Sequence, residues 1–179
     1  MRIFIAIDLP TEIKRQIGEC QKALALSESR LNLVNPEMAH ITLKFIGEVM
    51  PEMAERVSSE LDSISFSPFE MIVEGISGDN RHRPRVIWAN VSDGGVCARL
   101  ANEVEHRLLR LGIERERRPF TPHVTLARVK RFHPSLLKAV DEISQRMLGV
   151  ARVDGIVLKQ SMLRPEGAIY HDLHRIIWR

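Results

Sequence analysis

The sequence contains an internal repeat, and this repeat limits the folds that the chain can adopt. HITL at residues 40–43 corresponds to HVTL at residues 123–126, and Ala6 corresponds to Ala89 at the same spacing. Both tetrapeptides lie in runs of apolar and β-branched residues, which are typical of strands. Because similar features recur in the same order, we predict two similar lobes related by a pseudo-twofold axis.

Each half of the chain has the same predicted order of elements: strand, helix, strand, helix, strand. Alternating apolar residues predict strands at residues 2–9, 40–49, 69–77, 85–92, 123–129, 150–163 and 168–178. Apolar residues spaced three or four apart predict helices at residues 10–26, 51–64, 94–113 and 134–148. Polar and proline-rich segments predict loops at residues 78–85 and 114–122, and a turn at the sequence RPEG, residues 164–167.

The predicted fold class is α+β. The repeat halves, approximately residues 1–83 and 84–179, are too short and too interleaved to be independent domains. EGI at residues 74–76 matches DGI at residues 154–156 at nearly the repeat spacing. We therefore expect a single domain, residues 1–179, of two duplicated lobes. Each lobe has an antiparallel sheet and flanking helices, and an active-site cleft lies between the lobes.

The composition is that of an ordinary globular protein. Of the 179 residues, 44% are hydrophobic and 27% are charged, and the net charge is +3. A mildly basic chain is compatible with an anionic partner but does not require one. No apolar run has the length of a signal peptide or a membrane span, so we expect a cytoplasmic protein with no membrane partner. Cys20 and Cys97 are far apart, and we interpret them as free buried thiols rather than as a disulfide.

Strand geometry places the histidine and the threonine of each motif on one face. Successive side chains of a strand alternate between its two faces, so His40 and Thr42 share a face, as do His123 and Thr125. Under pseudo-twofold symmetry the two pairs face each other and form one site. The opposite, buried face is expected to hold Ile41, Leu43, Phe45, Val124 and Leu126.

Two facing imidazoles suit hydrolysis of a phosphodiester without a metal. One must be neutral to take a proton from water, and the other must be protonated to give one to the leaving oxygen. The ordinary pKa of histidine, about 6.5, allows both forms near neutral pH. Two threonine hydroxyls can donate to the non-bridging phosphate oxygens and orient the phosphorus.

Two other interpretations of the paired motif stay open at this point. The histidines can be buried core residues that bond to threonine or to the backbone. They can also be ligands of a zinc ion, which requires a third His, Cys or carboxylate ligand. His171 or His174 is a candidate for that ligand, although the two alternate faces on a strand near the C-terminus.

Several basic residues are candidates for contacts with phosphate. Lys44 and Arg128 each follow a motif closely. By strict alternation Lys44 shares the His-Thr face and Arg128 does not, unless a twist or bulge turns it inward. Two arginine clusters either guide an RNA backbone to the cleft or are solvated loops: Arg81, Arg83 and Arg85, and Arg115, Arg117 and Arg118. The histidines that we interpret as solvated are His82, His106 and His133.

With both motifs identified, the sequence resembles the two-histidine (2H) phosphoesterase superfamily, which is defined by two HxTx motifs in a duplicated bilobal α+β fold. Within it the chain is similar to the bacterial and archaeal RNA 2′,3′-cyclic phosphodiesterases, historically called 2′-5′ RNA ligases. The resemblance covers nearly the whole chain, and the segments that carry it are RIFIAIDLP, HITLKFIGEV, RPRVIWANV and FTPHVTLARV.

This resemblance implies that the protein hydrolyses the 2′,3′-cyclic phosphate of an RNA end to a 2′-phosphomonoester, without a cofactor. His40 matches the histidine that protonates the departing 3′ oxygen, and His123 matches the base that acts on water. Thr42 and Thr125 match the threonines that bind phosphate. Possible substrates are tRNA fragments, and a monomer is expected.

Three further possibilities remain at this stage. The same catalyst can in principle join RNA ends through a 2′-5′ linkage, because it lowers the barrier in both directions. The fold can also serve a phosphodiesterase for 2′-5′ oligonucleotides or small cyclic nucleotides. A non-catalytic module that binds RNA ends is the third possibility, but binding alone does not need both an acid and a base.

Overall fold

The structure is a computed structural model that describes residues 1–164 and 167–179. Within this part of the chain, no helix is long and apolar enough to cross a membrane. The strands are β1 (Arg2–Asp8), β2 (Arg30–Leu33), β3 (His40–Glu48), β4 (Phe69–Gly78), β5 (Val86–Ser92), β6 (His123–Arg131), β7 (Met147–Val153), β8 (Gly155–Arg164) and β9 (Gly167–Ile177). The helices are α1 (Thr11–Leu24), α2 (Pro51–Asp62), α3 (Val96–Leu109) and α4 (Ser135–Glu142), with a 3₁₀ helix at Pro36–Met38.

The strands form an antiparallel sheet in the order β7-β4-β5-β6-β3-β1-β8-β9, and β2 pairs with β6. The two strands that carry the HxTx motifs, β3 and β6, meet in the middle of this order. The residue pair Ile41–Val124 joins them. On one side of this contact lie β1, β8 and β9, and on the other lie β5, β4 and β7. Each group of strands therefore has a motif strand at its inner edge.

The two repeat halves exchange strands β4 and β8. β4 belongs to the first half but pairs with β5 and β7 of the second half. In return, β8 of the second half pairs with β1 of the first. The predicted α+β class and duplicated arrangement are confirmed. Each lobe therefore contains strands from both halves of the chain. We propose on this basis that residues 1–179 form a single domain, with the boundary between the repeats near residue 83.

The helices pack the apolar stripes that the sequence predicts. In α1 the stripe is Ile13, Ile17, Cys20 and Leu24, and all four side chains are fully buried. Burial of each large aliphatic side chain contributes about 1.5–3 kcal/mol relative to its exposure. Cys20 and Cys97 are free and buried, as predicted, and burial raises the pKa of both thiols.

The structure corrects the prediction around the last helix. We predicted a helix to residue 148 and one strand over 150–163, but α4 ends at Glu142 and two strands follow. The backbone carbonyls of Ser144 and Arg146 accept hydrogen bonds from Ile76 and Gly75 of β4, at 3.2 and 2.8 Å. These long-range bonds connect the segment after α4 to β4, and the bond to Ser144 takes a carbonyl that a continued helix would have used.

Two other differences from the prediction are an additional strand and an interruption of a predicted strand. The short strand β2 was not predicted, and it forms by pairing with β6. The predicted single strand is interrupted at Asp154, whose carbonyl accepts a hydrogen bond from the Trp178 backbone N–H at 2.7 Å. The predicted RPEG turn contains residues 165 and 166, which lie outside the described residues.

Candidate active site

A cavity of about 760 Å³ lies between the two lobes and contains both motifs. It is bounded by the motif strands, by α3 and by the loop that precedes β6. The sequence-predicted site residues that line it are His40, Thr42, Lys44, His123, Thr125 and Arg128. The geometry therefore brings all the predicted site residues to one place.

The contact between the motif strands determines how the motifs face each other. Ile41 pairs with Val124, and both are fully buried on the side away from the cavity. This contact brings the two antiparallel motif strands side by side. The histidine and the threonine of each motif line the same cavity.

His40 is held by hydrogen bonds at both ring nitrogens. Its Nδ1 lies 2.8 Å from the Met38 carbonyl oxygen, and its Nε2 lies 3.1 Å from Thr42 Oγ1. Since a carbonyl only accepts, Nδ1 carries a proton, and in the neutral ring Nε2 is free to accept. The ring also contacts Phe4 and Tyr170, with centroids 4.9 and 5.2 Å away. Burial lowers the pKa of His40, and the hydrogen bond to Met38 partly opposes this shift.

His123 has a matching arrangement in the other lobe. Its Nδ1 lies 2.9 Å from the Thr121 carbonyl oxygen, so this nitrogen also carries the proton. Its ring contacts Trp88 of the neighbouring strand, with centroids 4.9 Å apart. In both motifs, therefore, a carbonyl two residues upstream selects the tautomer whose Nε2 can take part in proton transfer.

A β-bulge in β3 reverses the alternation of faces after the first motif. Consecutive residues of β1 pair with Thr42 and Lys44, so Leu43 is the extra residue. Leu43 and Lys44 are both buried, and Phe45 is 60% exposed. The prediction that Phe45 shares the buried face with Ile41 is therefore wrong, and Phe45 lines the cavity instead.

The second motif has an equivalent bulge. Consecutive residues of β5 pair with Thr125 and Ala127, so Leu126 is the extra residue. Leu126 and Ala127 are both buried, and Arg128 is exposed and lines the cavity. Strict alternation had directed Arg128 away from the His-Thr face, and the bulge returns it to the cavity.

Lys44 lines the cavity, but its ammonium group is bonded to other parts of the protein. Its side chain is 7% exposed and lies 3.0 Å from Glu105 Oε1 of α3. It also donates to the Glu114 carbonyl oxygen at 2.7 Å. Glu105 in turn accepts a hydrogen bond from the Glu116 backbone N–H at 3.2 Å. A contact between Lys44 and substrate phosphate stays a prediction.

The sequence reasoning missed the aromatic residues behind the histidines. Phe4 and Trp88 lie on β1 and β5, which are equivalent strands of the repeat. Each packs against the histidine of the adjacent motif strand. The signal in the sequence was an aromatic residue at a similar place in each half, close to the Ala6–Ala89 match.

The remaining histidines lie in different surroundings. His174 Nε2 is 2.7 Å from Asp62 Oδ1 of α2, and His171 is exposed. Over residues 1–164 and 167–179, no group of three or more His, Cys, Asp or Glu side chains is arranged to hold a metal ion. His133 lies 3.2 Å from Glu28, and His82 and His106 are exposed.

The structure separates the two arginine clusters. Arg115, Arg117 and Arg118 line the cavity. In the other cluster, Arg85 lies 3.4 Å from Asp79, and Arg83 lies 6.0 Å from the Phe132 ring centroid. The described residues that line the cavity include none of this second cluster.

Known proteins resemble this chain over most of its length. Residues 7–88 and 94–170 match the family model for LigT-like phosphoesterases, and each segment contains one HxTx motif. The chain belongs to this family. An Archaeoglobus fulgidus protein named RNA 2′,3′-cyclic phosphodiesterase is 38% identical over 174 residues, which are 97% of this chain and 98% of the relative. A Thermotoga maritima protein of the same name is 33% identical over 179 residues, covering 97% and 94% of the two chains.

Solved structures of LigT-like phosphoesterases share the fold over the full length. Escherichia coli LigT, crystallised with 3′-AMP, superimposes with a TM-score of 0.80 and 26% identity, covering 99% of this chain and 97% of that one. A Thermus thermophilus protein gives a TM-score of 0.83 and 28% identity, covering 100% and 98% of the two chains. Membership of this phosphoesterase family makes the chain a hydrolase.

Proposed function

We propose that this protein hydrolyses 2′,3′-cyclic phosphate ends of RNA to 2′-phosphomonoesters, without a metal ion. The observation that carries the proposal is the matched pair of imidazoles in one cavity. Both have Nδ1 bonded to a backbone carbonyl, so Nε2 is the ring nitrogen assigned to proton transfer, and in His40 this nitrogen also lies 3.1 Å from Thr42 Oγ1. The relatives named RNA 2′,3′-cyclic phosphodiesterase and the 3′-AMP complex of Escherichia coli LigT support this substrate class.

In the proposed reaction His123 is the base and His40 is the acid. The neutral Nε2 of His123 takes a proton from water as the water oxygen bonds to phosphorus. The bond from phosphorus to the 3′ oxygen breaks, and that oxygen takes a proton from Nε2 of His40. Afterwards His40 is neutral and His123 is protonated, so one proton must return to His40 before the next turnover.

The threonines are assigned to the phosphate. Each motif places a hydroxyl in the cavity with its histidine, and hydroxyls can donate to the two non-bridging oxygens as charge develops there. Thr42 Oγ1 is 3.1 Å from the His40 ring, so a phosphate bound to this hydroxyl lies next to the proposed acid. Arg128 supplies a positive charge on the same cavity wall.

The protonation state of His40 needs a contribution from the substrate. Burial lowers the pKa of His40 and favours the neutral ring in the free protein. A bound phosphodiester anion has the opposite effect, because a negative charge nearby favours the imidazolium. Substrate binding therefore prepares His40 to act as the acid.

The test of the proposal is turnover of adenosine 2′,3′-cyclic phosphate with EDTA present, with adenosine 2′- and 3′-phosphate as chromatographic standards. We expect turnover to continue at its full rate and to yield the 2′-phosphate. Loss of turnover that zinc restores would refute the metal-independent mechanism. Formation of the 3′-phosphate would refute the assignment of the leaving oxygen. The 2′-5′ ligation is tested with cyclic-phosphate and 5′-hydroxyl RNA ends together, because a 5′-hydroxyl that attacks phosphorus in place of water, with departure of the 3′ oxygen, forms a 2′-5′ linkage.

A further inference from the structure

Three arginines lie along the loop that precedes the second motif, and this loop also carries Glu114 and Glu116. We call residues 114–121 the arginine loop. Arg115, Arg117 and Arg118 are exposed, and all three line the cavity. In the described part of the chain, none of their side chains lies within 4.0 Å of a carboxylate.

The backbone of the arginine loop is held by a buried ion pair. Lys44 and Glu105 are only 7% and 8% exposed. The lysine donates to the Glu114 carbonyl at 2.7 Å, and Glu105 accepts from the Glu116 N–H at 3.2 Å. These two bonds lie on either side of Arg115. We assign this ion pair a positioning role rather than a role in stability. It connects the first motif strand and α3 to the backbone of the arginine loop.

The arginine loop is also connected directly to the second histidine. Its last residue, Thr121, provides the carbonyl that accepts from His123 Nδ1 at 2.9 Å. The three arginines line the same cavity as both histidines. A cyclic phosphate bound between the histidines therefore shares this cavity with the arginine loop.

Guanidinium groups match the chemistry of backbone phosphates. Each carries five N–H donors in a fixed planar arrangement and can bind two phosphate oxygens at once. A cyclic mononucleotide has a single phosphate, which the motifs themselves engage in the proposed reaction. An oligoribonucleotide with a cyclic end has further phosphates on its 5′ side, and only these are left for the arginine loop.

We propose that the arginine loop binds the backbone phosphates of the nucleotides that precede the cyclic end, and thereby makes an oligoribonucleotide a better substrate than a cyclic mononucleotide. This inference rests on the proposed function. In it, Lys44 and Glu105 are positioning residues, because they act on the substrate through the arginine loop.

The chain contains a matched control for the charge of the arginine loop. Residues 81–85 carry the same number of arginines, Arg81, Arg83 and Arg85, and all three are exposed. They do not belong to the described lining of the cavity. Replacing either set by alanine removes three positive charges, so the net charge of the protein falls by the same amount in both variants.

The experiment compares kcat/KM for adenosine 2′,3′-cyclic phosphate with kcat/KM for a five-nucleotide RNA that ends in the same cyclic nucleotide. We expect the wild-type protein to prefer the RNA. In the triple variant Arg115→Ala/Arg117→Ala/Arg118→Ala, the ratio of RNA to mononucleotide should fall at least about 10-fold, which is about 1.4 kcal/mol. In the triple variant Arg81→Ala/Arg83→Ala/Arg85→Ala, the ratio should change less than about twofold.

The salt dependence gives a second measure of the same contacts. For single strands, the logarithm of affinity falls with the logarithm of salt concentration with a slope of about −0.7 per neutralised phosphate. The slope of kcat/KM for the RNA should become shallower by about 0.7 for each phosphate contact that the arginine-loop variant loses. In the same variant, the slope of kcat/KM against salt concentration for the mononucleotide should change less than the slope for the RNA.

The positioning role is tested by adding Glu105→Gln to both the wild-type protein and the arginine-loop variant. In the wild-type background it should lower the RNA-to-mononucleotide ratio. In the arginine-loop variant it should lower that ratio no further, because both changes act through the same contacts. Additive losses would overturn the positioning role.

The outcomes distinguish this inference from the proposed function. If wild-type protein turns over neither substrate, the proposed function is wrong. If it turns over both but the arginine-loop variant loses equal factors on both, or the control variant loses as much preference for RNA, the inference is wrong and the proposed function stands. Thermal unfolding of each variant verifies that it is folded at the assay temperature.

Discussion

Removal of either motif histidine is expected to lower the catalytic rate by about 10²- to 10⁴-fold, the range for losing a positioned acid or base. This range corresponds to about 3–5 kcal/mol in the activation free energy. The variants are His40→Ala and His123→Ala, and His106→Ala is the matched control, because His106 is exposed on α3. The control should retain the wild-type rate.

The cavity offers no clear replacement for a lost histidine. Its carboxylates, among the described lining residues, are Glu105 and Glu116. Glu105 is paired with Lys44 at 3.0 Å, and Glu116 accepts a hydrogen bond from the Arg117 backbone N–H at 3.0 Å. Both lie outside the motif strands, Glu105 on α3 and Glu116 in the arginine loop. The double variant should therefore be little slower than either single variant, since both histidines act in one transition state.

The two single variants should respond differently to the leaving group. A cyclic phosphate with sulfur in place of the 3′ oxygen releases a thiolate, which needs little protonation because thiols have a pKa of about 8.5. This substrate should rescue His40→Ala at least about 10-fold more than His123→Ala. The assay is single-turnover release of the thiol, monitored with a chromogenic disulfide. Equal rescue of both variants would refute the assignment of acid and base, and greater rescue of His123→Ala would reverse it.

Two further predictions concern pH and stability. A general acid loses activity above its pKa, and burial lowers the pKa of His40 in the free protein. The bound phosphate anion favours the imidazolium in the complex, so the alkaline limb of kcat/KM should lie at lower pH than the alkaline limb of kcat. Alkaline limbs at the same pH would contradict this reasoning. The limbs belong to the coupled histidine pair rather than to one residue. Ile41→Ala removes a fully buried side chain at the β3–β6 contact and should lower the free energy of unfolding in urea by about 2–5 kcal/mol, whereas Leu26→Ala, at a position 85% exposed, should change it little.

Elements that depend on local patterns were predictable from the sequence, and elements that depend on distant backbone partners were not. The α1 stripe from Ile13 to Leu24 follows from helical spacing alone and is buried as predicted. The end of α4 was missed because carbonyls at Ser144 and Arg146 bond to β4, far away in the chain. β2 was missed for the same reason, since it pairs with β6, far away in the chain.

The same distinction holds at the candidate site. Alternation along a strand places His40 and Thr42 on one face, and the repeat brings in the second pair. The bulges at Leu43 and Leu126 arise from the pairing of each motif strand with its neighbour, and a single strand sequence carries no clear sign of them. They turn Phe45 and Arg128 to the cavity and leave Lys44 buried against α3.

Duplication explains the similarity of the two histidines, and the proposed reaction requires them to differ. Both rings have Nδ1 bonded to a carbonyl two residues upstream and an aromatic ring from the adjacent strand. The difference comes from β9, a strand beyond the matched core of the repeat, which adds Tyr170 against His40 at 5.2 Å. This packing contributes to the burial that lowers the pKa of His40. Burial alone favours a neutral ring, so the acid role depends on a phosphate anion bound close to His40. Without that anion, the imidazole of His40 is uncharged near pH 7. His40 therefore carries the proton for the leaving oxygen only once substrate is bound.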